Sequence, residues 1–238
     1  MSHMNGIFTR RGVLKGTCGM AAGVALSGVS GWALDAGQGA PQNAISPADA
    51  LKRLMDGNAR YAANQPASKD FSAGRAARAT AQYPVASVLG CGDSRVSPEL
   101  IFDQTPGDIF TVRVAGNYST VDLLASLEYS VAVLNAPLII VLGHTNCGAI
   151  SAVVKDLQDS KALPGHINVL VNAIRPGVEK AIAAGGDHMM DNAIEANVRY
   201  NVERLKRSQP ILPELLKNKK LDIVGAVYQL ATGEVKLL

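Results

Sequence analysis

Five consecutive apolar residues, Leu138-Ile139-Ile140-Val141-Leu142, closed by Gly143, constrain this chain more than any other feature. A strand with one wet face alternates apolar and polar residues. An unbroken run buries both faces, as in parallel sheets sandwiched between helices. Val85–Leu89 is a second short run and closes the same way, on Gly90. Ile109–Ala115 is a third, β-branched and preceded by a Pro-Gly turn, and Leu221–Gln229 is a last central strand. Thr232-Gly233 turns the chain into an edge segment, Val235–Leu238. Helical spacing fills the intervals at Asp122–Leu134, Cys147–Leu157, Ile167–Ala184 and Met190–Arg207, the third expected to break at Pro176-Gly177. Upstream, Ser46-Pro47 is a helix start, a capping serine before a first-turn proline, and the helix runs to about Ala63. Phe71–Ala81 reads as a shorter helix. The expected fold class is α/β, a mostly parallel central sheet flanked by helices, with an N-terminal helical arm.

The first residues belong to a different regime. Thr9-Arg10-Arg11-Gly12-Val13-Leu14-Lys15 precedes a Gly/Ala/Val/Leu stretch from Gly16 to Leu34, with small residues following. A basic start, a mildly apolar middle and a small-residue end form an export signal, and the adjacent arginines resemble the twin-arginine type. Residues 1–36 are therefore expected to be a cleaved export signal, 37–45 a linker, and 46–238 a single catalytic α/β domain. The twin-arginine route carries folded passengers, so the expected location is periplasmic, or otherwise exported after folding. The stretch is too weakly apolar for a stable membrane span. The whole chain carries a formal charge of +3, and without Arg10, Arg11, Lys15 and Asp35 the body carries +1. A near-neutral body with 5% aromatic residues excludes a nucleic-acid surface.

Two reactive residues sit directly after the glycine-closed runs. Cys91 follows Val88-Leu89-Gly90, and His144 follows Val141-Leu142-Gly143. Open α/β sheets bind ligands at the carboxyl ends of their strands, so both side chains reach one rim. Cys147, three residues after His144, completes a set of two thiols and one imidazole, which suits Zn²⁺. Three protein ligands leave a fourth position open, the pattern of a catalytic site. Asp93 is the candidate for that position in a closed state, and Arg95 can hold the same carboxylate away through a two-pronged bond. A Cys91–Cys147 disulfide or two core thiols are the alternatives. His166 and His188 have no ligand spacing.

Cys91-Gly92-Asp93-Ser94-Arg95 with His144-Thr145-Asn146-Cys147-Gly148 resembles the β-class carbonic anhydrases, whose paired signatures are C-x-D-S-R and H-x-x-C-G. The likeness extends through Pro106–Phe110, Leu127–Val131, Ile140–His144 and Gly225–Tyr228 with Thr232-Gly233, covering roughly Ser46 to Leu238. It implies a lyase that hydrates carbon dioxide to bicarbonate and a proton through zinc-bound hydroxide. One Zn²⁺ per subunit would sit on Cys91, His144 and Cys147, with Asp93 and Arg95 as the catalytic dyad. The resemblance further assigns Gln82, Phe110, Tyr129 and Gly148 to the substrate pocket, Phe110 and Tyr129 across a subunit boundary. It implies a homodimer or a dimer of dimers. Two departures stand out: Arg113-Val114-Ala115-Gly116-Asn117 replaces R-N-V-A-N, and position 88 is valine where members with a regulatory bicarbonate pocket carry tryptophan. Hydrolysis of carbonyl sulfide or carbon disulfide on the same fold, and a non-enzymatic zinc or redox module, are the rival functions.

Overall fold

The computed structural model describes residues 41–159 and 163–238; the export-signal reading of 1–36 and the start of the linker lie outside them. Strands β1 (Ala86–Gly90), β2 (Ile109–Arg113), β3 (Leu138–His144), β4 (Asp222–Tyr228) and β5 (Val235–Leu237) form one sheet in the order β2-β1-β3-β4-β5. The first four are parallel, and β5 closes the edge antiparallel to β4. All seven residues of β3 are buried, as its unbroken apolar run requires. The pleat sends Ile139 and Val141 to one core and Leu138, Ile140 and Leu142 to the other.

The two faces are covered unequally. Helices α4 (Val121–Ala132), α5 (Gly148–Asp159), α6 (Ile167–Ala184), α7 (Met189–Lys206) and α8 (Ile211–Lys217) contribute to the larger core. Val198 of α7 seats over two glycines of neighbouring strands, Gly143 and Gly225. A Cβ on either would lie 2.6 and 2.8 Å from its methyl groups. The smaller core is covered by α1 (Pro47–Ala62) and α3 (Pro98–Ile101), through Ala50, Leu54 and Ile101.

The N-terminal helix begins where expected. The Ser46 hydroxyl accepts from the Asp49 N–H at 3.1 Å, and Pro47 opens the first turn. It docks through two devices. Buried Asn58 donates to the carbonyls of Ile101 and Gly233 and accepts from the Val235 N–H. Gly57 lies so close to α3 that a Cβ there would stand 1.9 Å from the Phe102 carbonyl oxygen.

Some expectations are corrected. Only Arg75–Thr80 (α2) of Phe71–Ala81 is helical. The Asp70 carboxylate accepts from Ser72 and Ala73, and Gly74 takes φ +66°, so a turn occupies the start of that segment. Helix α6 runs through Pro176 without breaking. Proline removes one donor there, but Val171, Ile174 and Val178 are all buried on one face, and packing outweighs the lost bond. The short helices α3 and α8 were not anticipated.

In an open helix interior, Gly→Ala gains about 1 kcal/mol. Gly57→Ala is expected to reverse that sign and destabilise by about 1–3 kcal/mol, since the obstacle is backbone. Urea denaturation measures it, and a more stable variant would refute this docking.

Candidate metal centre

Neighbouring strands deliver the site. In register, Gly90 of β1 stands beside Leu142 of β3, so Cys91 leaves one strand next to where His144 ends the other. The chain passes from β1 to β2 on one side while β3 lies on the other side of β1, so this is the switch point of the sheet. Cys147 immediately precedes α5, and its sulfur faces the N–H groups of Ala149 and Ile150 at the helix start. One ligand atom from each of Cys91, His144 and Cys147 lies within 4.8 Å of the others, and all three residues are buried. Both cysteines are free, so the disulfide alternative does not hold.

The electrostatics of this cluster call for a cation. The Cys147 thiol, hydrogen-bonded to the Cys91 sulfur, pulls the Cys91 pKa down to about 4 against the cost of burial. Cys147 is pushed far upward by that same bond to Cys91, and by burial. The pair thus gives up one proton readily and holds the second, because two adjacent buried thiolates repel. A divalent ion removes that repulsion and takes both sulfurs. His144 is prepared for the same ion. Its Nδ1 is 2.9 Å from the Thr145 carbonyl and donates to it, which leaves the Nε2 lone pair bare. That Nε2 is buried without a hydrogen-bond partner among the described residues. An orphaned imidazole nitrogen beside two sulfurs fits zinc.

Asp93 stands at the edge of the cluster. Arg95 holds it with a fork, Nε to Oδ1 at 2.9 Å and Nη2 to Oδ2 at 2.7 Å, and adds its own N–H at 3.0 Å. The Arg95 guanidinium keeps this carboxyl well below the usual carboxylate range. Oδ2 is still only 3.8 Å from His144 Nε2. Gly148 opens α5 beside Cys147; it is exposed, and nothing stands within 4 Å of where a Cβ would be.

The remaining pocket residues do not join this rim within the chain. Gln82 is exposed in the segment leading into β1, before the end of that strand opposite Cys91. Phe110, the second residue of β2, and Tyr129 of α4 pack ring against ring, with centroids 6.2 Å apart. Tyr129 remains 48% exposed.

Sequence reasoning missed the supports of the metal ligands. Arg113 donates to the carbonyls of Cys91 and Asp93, gripping the turn that carries both side chains. Its place at the end of β2, paired with Gly90, was the available signal. The Gly116 N–H reaches the Cys91 sulfur at 3.2 Å. Thr145 is itself pinned, donating its N–H to the Tyr228 carbonyl and accepting from the Leu230 N–H at its hydroxyl.

Comparison with known proteins meets this geometry. Residues 86–235 match the family described as carbonic anhydrase. The carbonic anhydrase of Mycolicibacterium smegmatis is 39% identical over 193 residues, covering 81% of this chain and 93% of that protein. The Coccomyxa β-carbonic anhydrase, solved in complex with acetazolamide, is 32% identical at a TM-score of 0.62, over 79% of this chain and 86% of its own. The fold is also shared with a structure from a study of two tetrameric β-carbonic anhydrases of Sordaria macrospora. That match is 22% identical at a TM-score of 0.61, over 80% of this chain and 97% of the other. A buried Cys-His-Cys cluster at the switch point of a 2-1-3-4-5 sheet, and homology across most of the chain, place this protein in the β-class carbonic anhydrase family.

Proposed function

We propose that this chain is a zinc lyase that interconverts carbon dioxide and bicarbonate, with Cys91, His144 and Cys147 holding the metal. The observation that carries this is the buried Nε2 of His144, without a hydrogen-bond partner among the described residues, clustered with the sulfurs of two buried cysteines. Zinc held there supplies a Lewis acid that makes water a nucleophile at neutral pH.

The chain's own residues do the rest. Asp93 stays ionised and accepts a hydrogen bond from the attacking water, which orients the nucleophile. Arg95 fixes the carboxylate for that task and keeps it off the open ligand position, 3.8 Å being a short swing for a side chain. The Gly148 N–H, exposed beside Cys147, receives a developing carboxylate oxygen. Gln82, Phe110 and Tyr129 serve the pocket of a second copy: they lie away from their own metal rim, and the exposed Tyr129 is free to be covered by a partner. The chain is therefore read as a homodimer or dimer of dimers, with the Gln82 amide and two aromatic walls reaching into the neighbouring site. Residues 1–36, with Arg10-Arg11, are read as a twin-arginine export signal delivering the folded enzyme to the periplasm, which cell fractionation of the full chain checks.

Stopped-flow hydration of carbon dioxide should be abolished by a chelator and restored by zinc. Cys91→Ser and Cys147→Ser should each lose zinc and activity together. Full zinc occupancy in either variant contradicts the ligand assignment.

Arg95→Ala should retain zinc and lose on the order of 10²-fold in kcat/KM across the pH range. Its residual activity should also fall off at higher pH on the acid side. The sign follows from Asp93: Arg95 is the main cause of its lowered pKa, so without Arg95 the carboxyl takes up its proton nearer the ordinary 3.8. Wild-type rates from acid to alkaline pH would eliminate this role.

Subunit exchange tests the shared pocket. Gln82→Ala and Cys147→Ser, each inactive alone, should regain about a quarter of wild-type activity when refolded together, the share random pairing gives a two-fold dimer. A mixture no more active than its components refutes a pocket built across subunits.

A further inference from the structure

Helix α7 presents a buried stripe of Ala193, Ile194, Asn197, Val198, Asn201, Val202 and Leu205, so two asparagines one turn apart interrupt an otherwise apolar face. Both are 1% exposed. Burying two amides in a hydrophobic core is unfavourable unless their hydrogen bonds are met, and here one loop meets them. Asn197 Nδ2 donates to the Gly116 carbonyl at 2.9 Å, and Asn201 Oδ1 accepts from the Ser119 N–H at 2.9 Å. Asn201 Nδ2 donates back to the Asn197 carbonyl and side-chain oxygen, fixing the orientation of the first amide.

The loop they hold touches the metal cluster at one point. Gly116, its carbonyl on Asn197, donates its own N–H to the Cys91 sulfur. The residue has φ +88°, and a Cβ there would lie 2.4 Å from Ile174 Cδ1 of α6. Glycine is needed to bring this peptide over the sulfur, and α6 presses it in place.

We propose that Asn197 is a positioning residue for the metal centre: by holding the Gly116 carbonyl, it keeps the Gly116 N–H on the Cys91 sulfur. An N–H···S bond fixes the sulfur in place for the metal. It also draws electron density from the sulfur. Partners of this kind behind metal ligands tune affinity by about 10- to 100-fold. Asn201 acts one step further back, by orienting Asn197. This inference rests on reading Cys91, His144 and Cys147 as the zinc site.

Asn197→Leu keeps the volume and removes the donor. Chelator competition should show zinc held about 10-fold more weakly. In the cobalt-substituted protein the thiolate-to-metal charge-transfer band should move to lower energy, since a sulfur released from the N–H is richer in electrons. Ser130→Ala is the control for a merely structural loss. It removes a buried α4 hydroxyl that is hydrogen-bonded to Ser87 of β1, and should leave affinity and band unchanged. Scalar coupling between the Gly116 amide and ¹¹³Cd in cadmium-loaded wild-type protein reads the bond directly. Its absence overturns the proposal even if Asn197→Leu does not fold. Unchanged affinity and spectrum in Asn197→Leu overturn it as well. Wild-type protein that takes up no zinc overturns the metal-site reading together with this one.

Discussion

Two buried sulfurs set side by side, each opposing the ionisation of the other, dominate this structure. Cys91 and Cys147 lie where water does not help either to ionise, and the ionisation of one opposes that of the other. A fold that places such a pair beside an imidazole with a bare nitrogen has built a place for positive charge. The sheet order follows from this demand. Only at the switch point between β1 and β3 can two strand ends present side chains to the same space without a helix crossing between them. The glycines that end both runs serve that space differently. Gly90 leads directly into Cys91, while Gly143 lets Val198 of α7 settle onto the sheet beside His144.

Much of this was legible in the sequence because strand burial is a local signal. The run Leu138–Leu142 can be covered only on both sides, and the reactive residues directly after two such runs disclose the rim. The cluster of Cys91, His144 and Cys147, and the pairing of Asp93 with Arg95 at its edge, were readable for that reason. Elements decided by distant contacts were not. Ser97-Pro98 carries the same start signal as Ser46-Pro47, yet α3 is a single turn whose existence depends on packing under α1. Pro176 looked like a break, because the sequence does not show how much apolar surface α6 buries on both sides of it. The supports behind the ligands involve backbone groups of Gly116 and Thr145, which have no side-chain signature. The two buried asparagines of α7 were visible in principle, as amides spaced four apart within an apolar stripe.

Electrostatic roles divide by exposure. Asp93 and Arg95 meet at the solvent edge, where the pair can be rearranged by moving one side chain. Asp103 shows the opposite arrangement. Its side chain is fully buried and is bonded by Arg60, Lys69 and the Ala67 N–H, which overcome the burial penalty and hold its pKa at about 2. That knot ties α1 and the segment after it to the end of α3.

The clasp made by Asn58 joins residues about 175 positions apart, from the first helix to the last strand. The smaller core depends on α1 and α3 for cover, and α1 is secured by backbone far along the chain. Contacts of such long sequence separation carry a high loop-closure cost and slow the approach to the native state. During synthesis the smaller core stays incomplete until the final turn at Thr232-Gly233 and strand β5 have emerged. Strand β5 and helix α1 complete one another, and removing β5 takes from α1 the N–H that donates to Asn58.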